Sequence, residues 1–285
     1  MPLDIDGFKL RTVYRFKPRT LKSVLSAIKL YDKFLSENGL EPSVESLALW
    51  LDSLQRQGYK PLTLRRYADC VRIYFETMMI PVDKDMLRAV LKRFPYVINP
   101  IKDYLTEEEV AKLIVNTKNP IRKLVYAIQY TYARRLSEVL NLRWGDINFR
   151  KHTIRFRILK RREEEYATYH LEGWIEDLLK KYFGEKHHSN KKVFPVTKEW
   201  IERMFRRDLE KAGVKVKGRR LTPHVLRSSR ATHLLRRGVP IDVVSKYLLR
   251  HKRYETTVTM YRSVMKEEIA EIPSAAETLQ ISHVS

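Results

Sequence analysis

In Thr153-Ile154-Arg155-Phe156-Arg157-Ile158-Leu159 apolar residues alternate with others along the chain. Ile154, Phe156 and Ile158 fall on one side and Arg155 and Arg157 on the other, the period of a strand with one buried face. Tyr166 to Leu171 can pair with it as a hairpin, across the charged turn Lys160-Arg161-Arg162-Glu163-Glu164-Glu165. Before and after this region the apolar residues recur at three- and four-residue steps, the period of helices. The expected fold class is mainly α with a small β-hairpin or sheet.

Upstream, Leu21, Val24, Leu25, Ile28, Tyr31 and Leu35 mark one face of a helix that Asn38-Gly39 ends. Further helices are expected over about 43–57, 62–78 and 84–94. The first 17 residues, basic at Arg11, Arg15 and Lys17, read as an extended arm. Residues 1–94 are thus expected to form an N-terminal four-helix domain. Residues 95–104 contain Pro95 and Pro100 and read as a linker. A second domain is expected over 105–271 and a loosely held tail over 272–285. The second domain opens with a capping box, Thr106 and Glu109. Its helices are expected at about 120–132, 137–142, 173–183, 197–212, 223–237, 241–250 and 255–270. Trp50, Trp144, Trp174 and Trp200 are expected to pack in cores, and His233 to be a packed or solvated helix residue.

The chain has 285 residues, with 56 Lys+Arg against 34 Asp+Glu, a formal charge of +22. Residues 1–95 carry 17 basic and 11 acidic residues and the rest 39 and 23, so both halves are basic. That surplus asks for a polyanion: each cation that neutralises a phosphate releases condensed counterions. Two basic lobes are expected to close around a DNA duplex. Cys70 is the one cysteine, which excludes an intramolecular disulfide and a cysteine-rich metal site. No apolar run approaches the roughly 18 residues of a membrane span, and no signal-peptide core opens the chain. A cytoplasmic, nucleoid-associated protein with no membrane partner is expected. The sequence has no HExxH, no Cys-x-x-Cys pair, no GxxxxGK[ST] and no GxGxxG after a strand, so neither a metal nor a cofactor is expected.

Phosphoryl transfer on DNA without a metal needs a side-chain nucleophile, fixed cations for the phosphorane oxygens, a base, and an acid for the departing oxygen. Four segments supply such groups. Ala133-Arg134-Arg135-Leu136-Ser137-Glu138 places an arginine at a helix start with a carboxylate three residues on. Lys160 sits in the hairpin turn, and His224 and Arg227 share a helix face at i and i+3. Leu249-Arg250-His251 ends a helix, and Tyr261 follows ten residues after His251, behind Glu255-Thr256-Thr257.

Taken together and in this order, Arg-Leu-Ser-Glu, Leu142-Arg143-Trp144-x-Asp146, a hairpin lysine, His-x-x-Arg, Leu-x-His and Thr-Thr-x-x-x-Tyr resemble the tyrosine recombinases of the phage integrase family. Size and the helical first domain are most similar to the Xer group, including its archaeal members. The resemblance implies a core-binding, SAM-like N-terminal domain, an α+β catalytic domain and site-specific DNA recombination through a 3′-phosphotyrosyl intermediate. It implies that Arg135 and Arg227 clamp the scissile phosphate and that Tyr261 attacks phosphorus. It further implies that His224 assists deprotonation of the tyrosine, His251 donates to the phosphorane and Lys160 protonates the departing 5′-oxygen, with Arg161 and Arg162 as neighbouring candidates. Double-stranded DNA is the implied partner, with a homo-tetramer on two DNA sites and a monomer or dimer when free. Leu279 and Ile281 are expected to pack into a neighbouring subunit. A type IB topoisomerase-like relaxase and a DNA-binding protein with lost or conditional catalysis are the alternatives.

The chain departs from the family pattern at four places, one of them the hairpin turn with Glu163-Glu164-Glu165, which is acidic and longer where the family is glycine-rich and basic. Ala133-Arg134 stands where Gly-Leu usually precedes the first arginine, which makes Arg134 a rival of Arg135. Arg250 stands where the usual motif has glycine, and Tyr261 lies one residue further from His251 than in most Xer proteins.

Overall fold

A computed structural model describes residues 2–96, 103–158, 165–184, 188–251 and 254–261. The chain divides into two compact units, Met1–Val97 and Ile98–Ser285.

In the first unit, the helices are α1 (Ile5–Thr12), α2 (Pro18–Asn38), α3 (Val44–Arg56), α4 (Pro61–Met78) and α5 (Lys84–Lys92). Proline at the first helical position opens α2 and α4, where the missing N–H is no loss. Gly39 ends α2 at φ +61°. Apolar positions at helical spacing gather Ile28, Tyr31, Leu47, Trp50, Leu64, Val71 and Phe75 into one core. The Tyr31 hydroxyl meets Ser46 Oγ at 2.6 Å, so the phenol is buried with a partner.

The expected extended arm is a correction: residues 5–12 are helical. Asp4 caps the helix by accepting the Gly7 N–H at 2.8 Å, and Phe8 and Thr12 are fully buried against the core. The described residues of the unit therefore form five helices rather than four.

In the second unit, α6 (Glu107–Asn116) opens on the capping box of Thr106 and Glu109. The central helix α7 (Pro120–Thr131) buries Leu124 to Gln129 without interruption. After it come α8 (Leu136–Val139) and a three-stranded antiparallel sheet of β1 (Ile147–Asn148), β2 (Thr153–Arg157) and β3 (Tyr166–His170), in the order β1-β2-β3. Ile154 lies opposite Tyr169 and Phe156 opposite Ala167, with Ile154, Phe156 and Ile158 buried. The hairpin is as the alternation indicates, and β1 is an addition to it.

Then follow α9 (Gly173–Phe183), α10 (Lys198–Lys211), α11 (His224–Arg236) and α12 (Ile241–Val243). The helix expected over 241–250 is instead α12 running into a π-helix, Val244–Leu249, and residues 254–261 are helical. The chain is thus mostly helical with one small sheet. Of the four tryptophans, Trp50 and Trp144 are buried, and Trp200 packs partly against the core beneath Arg122. Trp174 departs from expectation: it is 42% exposed, because Ile175 takes the inward position at the start of α9. No helix among the described residues is long and apolar enough to cross a membrane.

Candidate active site

The site lies where α8, α11 and the π-helix meet inside the second unit. At the end of α7 the backbone turns sharply, and Ala133, fully buried, takes φ +48°, a region that favours glycine. This is the position at which the family pattern has glycine. The turn sends the next two arginines in different directions. Arg134 goes inward and is 1% exposed. Its Nε donates to the Tyr132 carbonyl at 2.8 Å and its Nη2 to the Leu248 carbonyl. Arg135 stays partly exposed at the N-cap of α8. Its Nη1 donates to Glu138 Oε1 at 2.8 Å, and its backbone N–H donates to Glu138 Oε2 at 3.0 Å. Glu138 is itself buried, so it holds Arg135 by both backbone and guanidinium. Of the two rivals, Arg135 is the one with its cation toward the accessible side.

Arg227, on the first turn of α11, is 2% exposed. Its Nη1 donates to the Ala133 carbonyl and its Nη2 to the Leu249 carbonyl, the latter at 2.6 Å. These bonds use two of the five N–H groups that a guanidinium carries. Burial, with Arg135 and Arg134 close by, pushes its pKa down, to about 9. The site thus concentrates positive charge.

His224, one turn before Arg227, is exposed and lines a small cavity with Asp103, Arg220, Thr222, Ser228 and Met260. His251 is held through its Nδ1, 2.8 Å from Thr257 Oγ1, which in turn donates to Ser245 Oγ at 2.8 Å. The His251 N–H donates to the Ser245 carbonyl at 3.1 Å. Ser245 and Thr257 escape a reading by motif. Thr257 belongs to the Thr-Thr pair, but nothing in the sequence pairs it with Ser245 across the π-helix.

Tyr261 is brought close to the charge of Arg227 but not to an open surface. It is 1% exposed, in a cluster with Ala133, Ala231, Leu235, Val244 and Leu249. Burial raises its pKa above that of an ordinary phenol, and Arg227 opposes the rise. The residue that the resemblance makes the nucleophile is thus buried in this structure. Lys160, Arg161, Arg162, Leu279 and Ile281 lie outside the described residues. Arg250, at φ +47°, occupies the second position where the family pattern has glycine. Its Nη1 pairs with Glu165 Oε1 at 2.7 Å. His233, buried, meets the Tyr130 hydroxyl at 2.9 Å and is a packed residue away from this site. Among the described residues no group of three or more His, Cys, Asp or Glu is arranged as metal ligands.

Residues 103–268 match the phage integrase family. The chain belongs to that family. It is a tyrosine recombinase, an enzyme that breaks and rejoins DNA at specific sites. The tyrosine recombinase XerA of Pyrococcus furiosus is 30% identical over 271 residues, covering 90% of this chain and 89% of that protein. A tyrosine recombinase of Thermosipho africanus is 29% identical, covering 91% of this chain and 93% of that one. Among solved structures, the fold is similar to XerH site-specific recombinase bound to a palindromic difH substrate. The TM-score is 0.69 at 18% identity, over 89% of this chain and 79% of that one. It is also similar to the Tn1549 transposon integrase in complex with circular intermediate DNA. That TM-score is 0.67 at 14% identity, over 93% of this chain and 98% of that one. Within the family framework the two glycine positions gain a physical reading: both are left-handed turns, and this chain fills them with Ala133 and Arg250.

Proposed function

We propose that this recombinase cuts double-stranded DNA by transesterification at Tyr261, without a metal ion. The phenol oxygen attacks phosphorus as the bond to the 5′-oxygen breaks, leaving a 3′-phosphotyrosyl link and a free 5′-hydroxyl. Arg135 and Arg227 clamp the non-bridging oxygens, a task suited to planar, permanently charged forks. His224 assists removal of the phenol proton and His251 donates to the phosphorane. Lys160 returns a proton to the departing oxygen, a step for which a guanidinium is a reluctant acid. Rejoining is the reverse attack by a 5′-hydroxyl.

The observation that carries this reading is the placement of Arg227, whose charge lies close to both Arg135 and the Tyr261 phenol while two carbonyls fix its fork. The buried tyrosine makes the described conformation a resting one, and attack requires the ring to leave its cluster when DNA binds. Residues 1–94 act as the core-binding domain of SAM-like type, 95–104 as the linker, 105–271 as the catalytic domain and 272–285 as a tail that docks on a neighbouring subunit. Strand exchange between two sites takes four protomers. The DNA partner is supported by the charge of both halves and by the family membership, and it places the enzyme at the nucleoid in the cytoplasm. XerH and the Tn1549 integrase were both solved with DNA.

A nicked suicide duplex tests the reading. Wild-type protein should form a covalent adduct, Tyr261→Phe none, and Arg227→Met should cost about 10²-fold or more in rate. Binding without adduct at any time would favour the conditional DNA-binding protein, and relaxation of supercoils without exchange would favour the relaxase.

A further inference from the structure

The carbonyls of three consecutive residues at the end of the π-helix are each held by a side chain from elsewhere. The Tyr169 hydroxyl donates to the Tyr247 carbonyl at 3.0 Å, Arg134 Nη2 to that of Leu248, and Arg227 Nη2 to that of Leu249. A π-helix leaves its turns wide and its last carbonyls short of partners, and π-turns recur at functional sites. Here the next residue, Arg250, is left-handed and the one after it is His251, so whatever fixes carbonyls 247–249 also aims the imidazole.

Arg134 is the central clamp. Its guanidinium is buried beneath the Tyr169 ring, 5.1 Å from the centroid, and 6.0 Å from that of Phe156. It thereby joins the β2–β3 sheet to the π-helix, while its Nε ties both to the Tyr132 carbonyl at the end of α7. The family pattern has an apolar residue at this position, which could make neither bond.

We propose that Arg134 is a positioning residue that touches no phosphate but sets His251 and the Leu249 carbonyl on which Arg227 rests. This rests on the active-site reading above. Losing the charge-assisted hydrogen bond to the Leu248 carbonyl should slow cleavage by about 10- to 100-fold. Arg134→Leu, the family-like residue, should show that loss in single-turnover adduct formation at saturating suicide DNA. The salt dependence of DNA binding should keep its slope, since no phosphate contact is removed. Arg134→Lys retains the cation but not the fork that spans both carbonyls, and should recover part of the rate. Independently of chemistry, hydrogen exchange at the His251 amide should lose protection in Arg134→Leu relative to amides of α7.

A slope shallower by about one would make Arg134 a phosphate ligand and overturn the proposal. So would wild-type rates in Arg134→Leu, or a rate loss in both variants that tracks the fraction unfolded. A wild-type protein that forms no adduct would sink the active-site reading instead, and the exchange experiment would then still decide whether Arg134 holds the turn.

Discussion

If Tyr261 is held in reserve by its apolar cluster, weakening the cluster should speed the first cut. Leu235, on the last turn of α11, is 3% exposed and belongs to the same cluster as the tyrosine. It carries no polar group and is given no role in the chemistry. Burying an aromatic ring of this size stabilises the closed position by about 1.5–3 kcal/mol, so the exposed ring is a minor species, roughly one molecule in ten to one in a hundred and fifty. Leu235→Ala removes several carbon contacts worth about 0.1–0.2 kcal/mol each, close to 1 kcal/mol in all for the ring. That shift raises the exposed population, and with it single-turnover adduct formation, roughly fivefold. The same substitution should lower global stability by about 2–5 kcal/mol, so the rate is measured in the cold with the folded fraction followed by circular dichroism. The phenol should also titrate closer to the ordinary value of 10.0, read by its ultraviolet absorbance. An adduct rate that stays level or falls, with the protein folded, would refute the idea that ring burial limits the first cut.

Three further outcomes follow from the packing. Ala133→Gly relieves a left-handed alanine costing about 1–2 kcal/mol while losing a buried methyl and stiffness of similar size, so denaturant stability should change by less than about 1 kcal/mol; Ala133→Val, branched at the same φ, should cost more than about 2 kcal/mol. Arg122→Met strips the charged partner from Asp208, which is 5% exposed and bonded to Arg122 at 2.7 Å, and leaves it only the Tyr126 hydroxyl, so urea unfolding should register a loss of about 3–5 kcal/mol. Burial raises the pKa of Glu109, but Arg219 at 2.6 Å and the Thr106 N–H more than reverse this, leaving it below the ordinary 4.5. A depressed carboxyl stabilises the fold fully above its unfolded value and loses that contribution as acid titrates the folded form. Thermal unfolding should therefore show stability falling below about pH 4.5 in wild type, and falling less steeply in Glu109→Gln.

The helices with strong apolar periodicity were legible in the sequence because burial itself writes that pattern: α2 to α4, α7 and α10 begin and end within a few residues of the caps and glycines that mark them. α1 was not, since it has only two turns and its three apolar residues do not share one face: Phe8 is buried, Ile5 packs partly against the core and Leu10 is exposed. β1, two residues long, is too short to alternate. The π-helix depends on bonds from Tyr169, Arg134 and Arg227, which come from three separate segments, so local sequence alone gives an ordinary helix there. At the site, the contact of Arg135 with Glu138 was legible because a three-residue step encodes it, whereas the carbonyls that hold Arg227 come from Ala133 and Leu249, far away along the chain. The burial of Tyr261 was not, because it arises from α11 and the π-helix closing over it. The positive φ at Ala133 and Arg250 had a signal, the displaced family glycines, but its meaning is conformational and emerges only from the backbone.

The sharpest test of the transesterification account is to digest the trapped protein–DNA adduct and find the modified peptide by mass. The account predicts a nucleotide joined through its 3′-phosphate to Tyr261 and to no other side chain. A linkage through a 5′-phosphate, or a label on any of the other tyrosines, would contradict it.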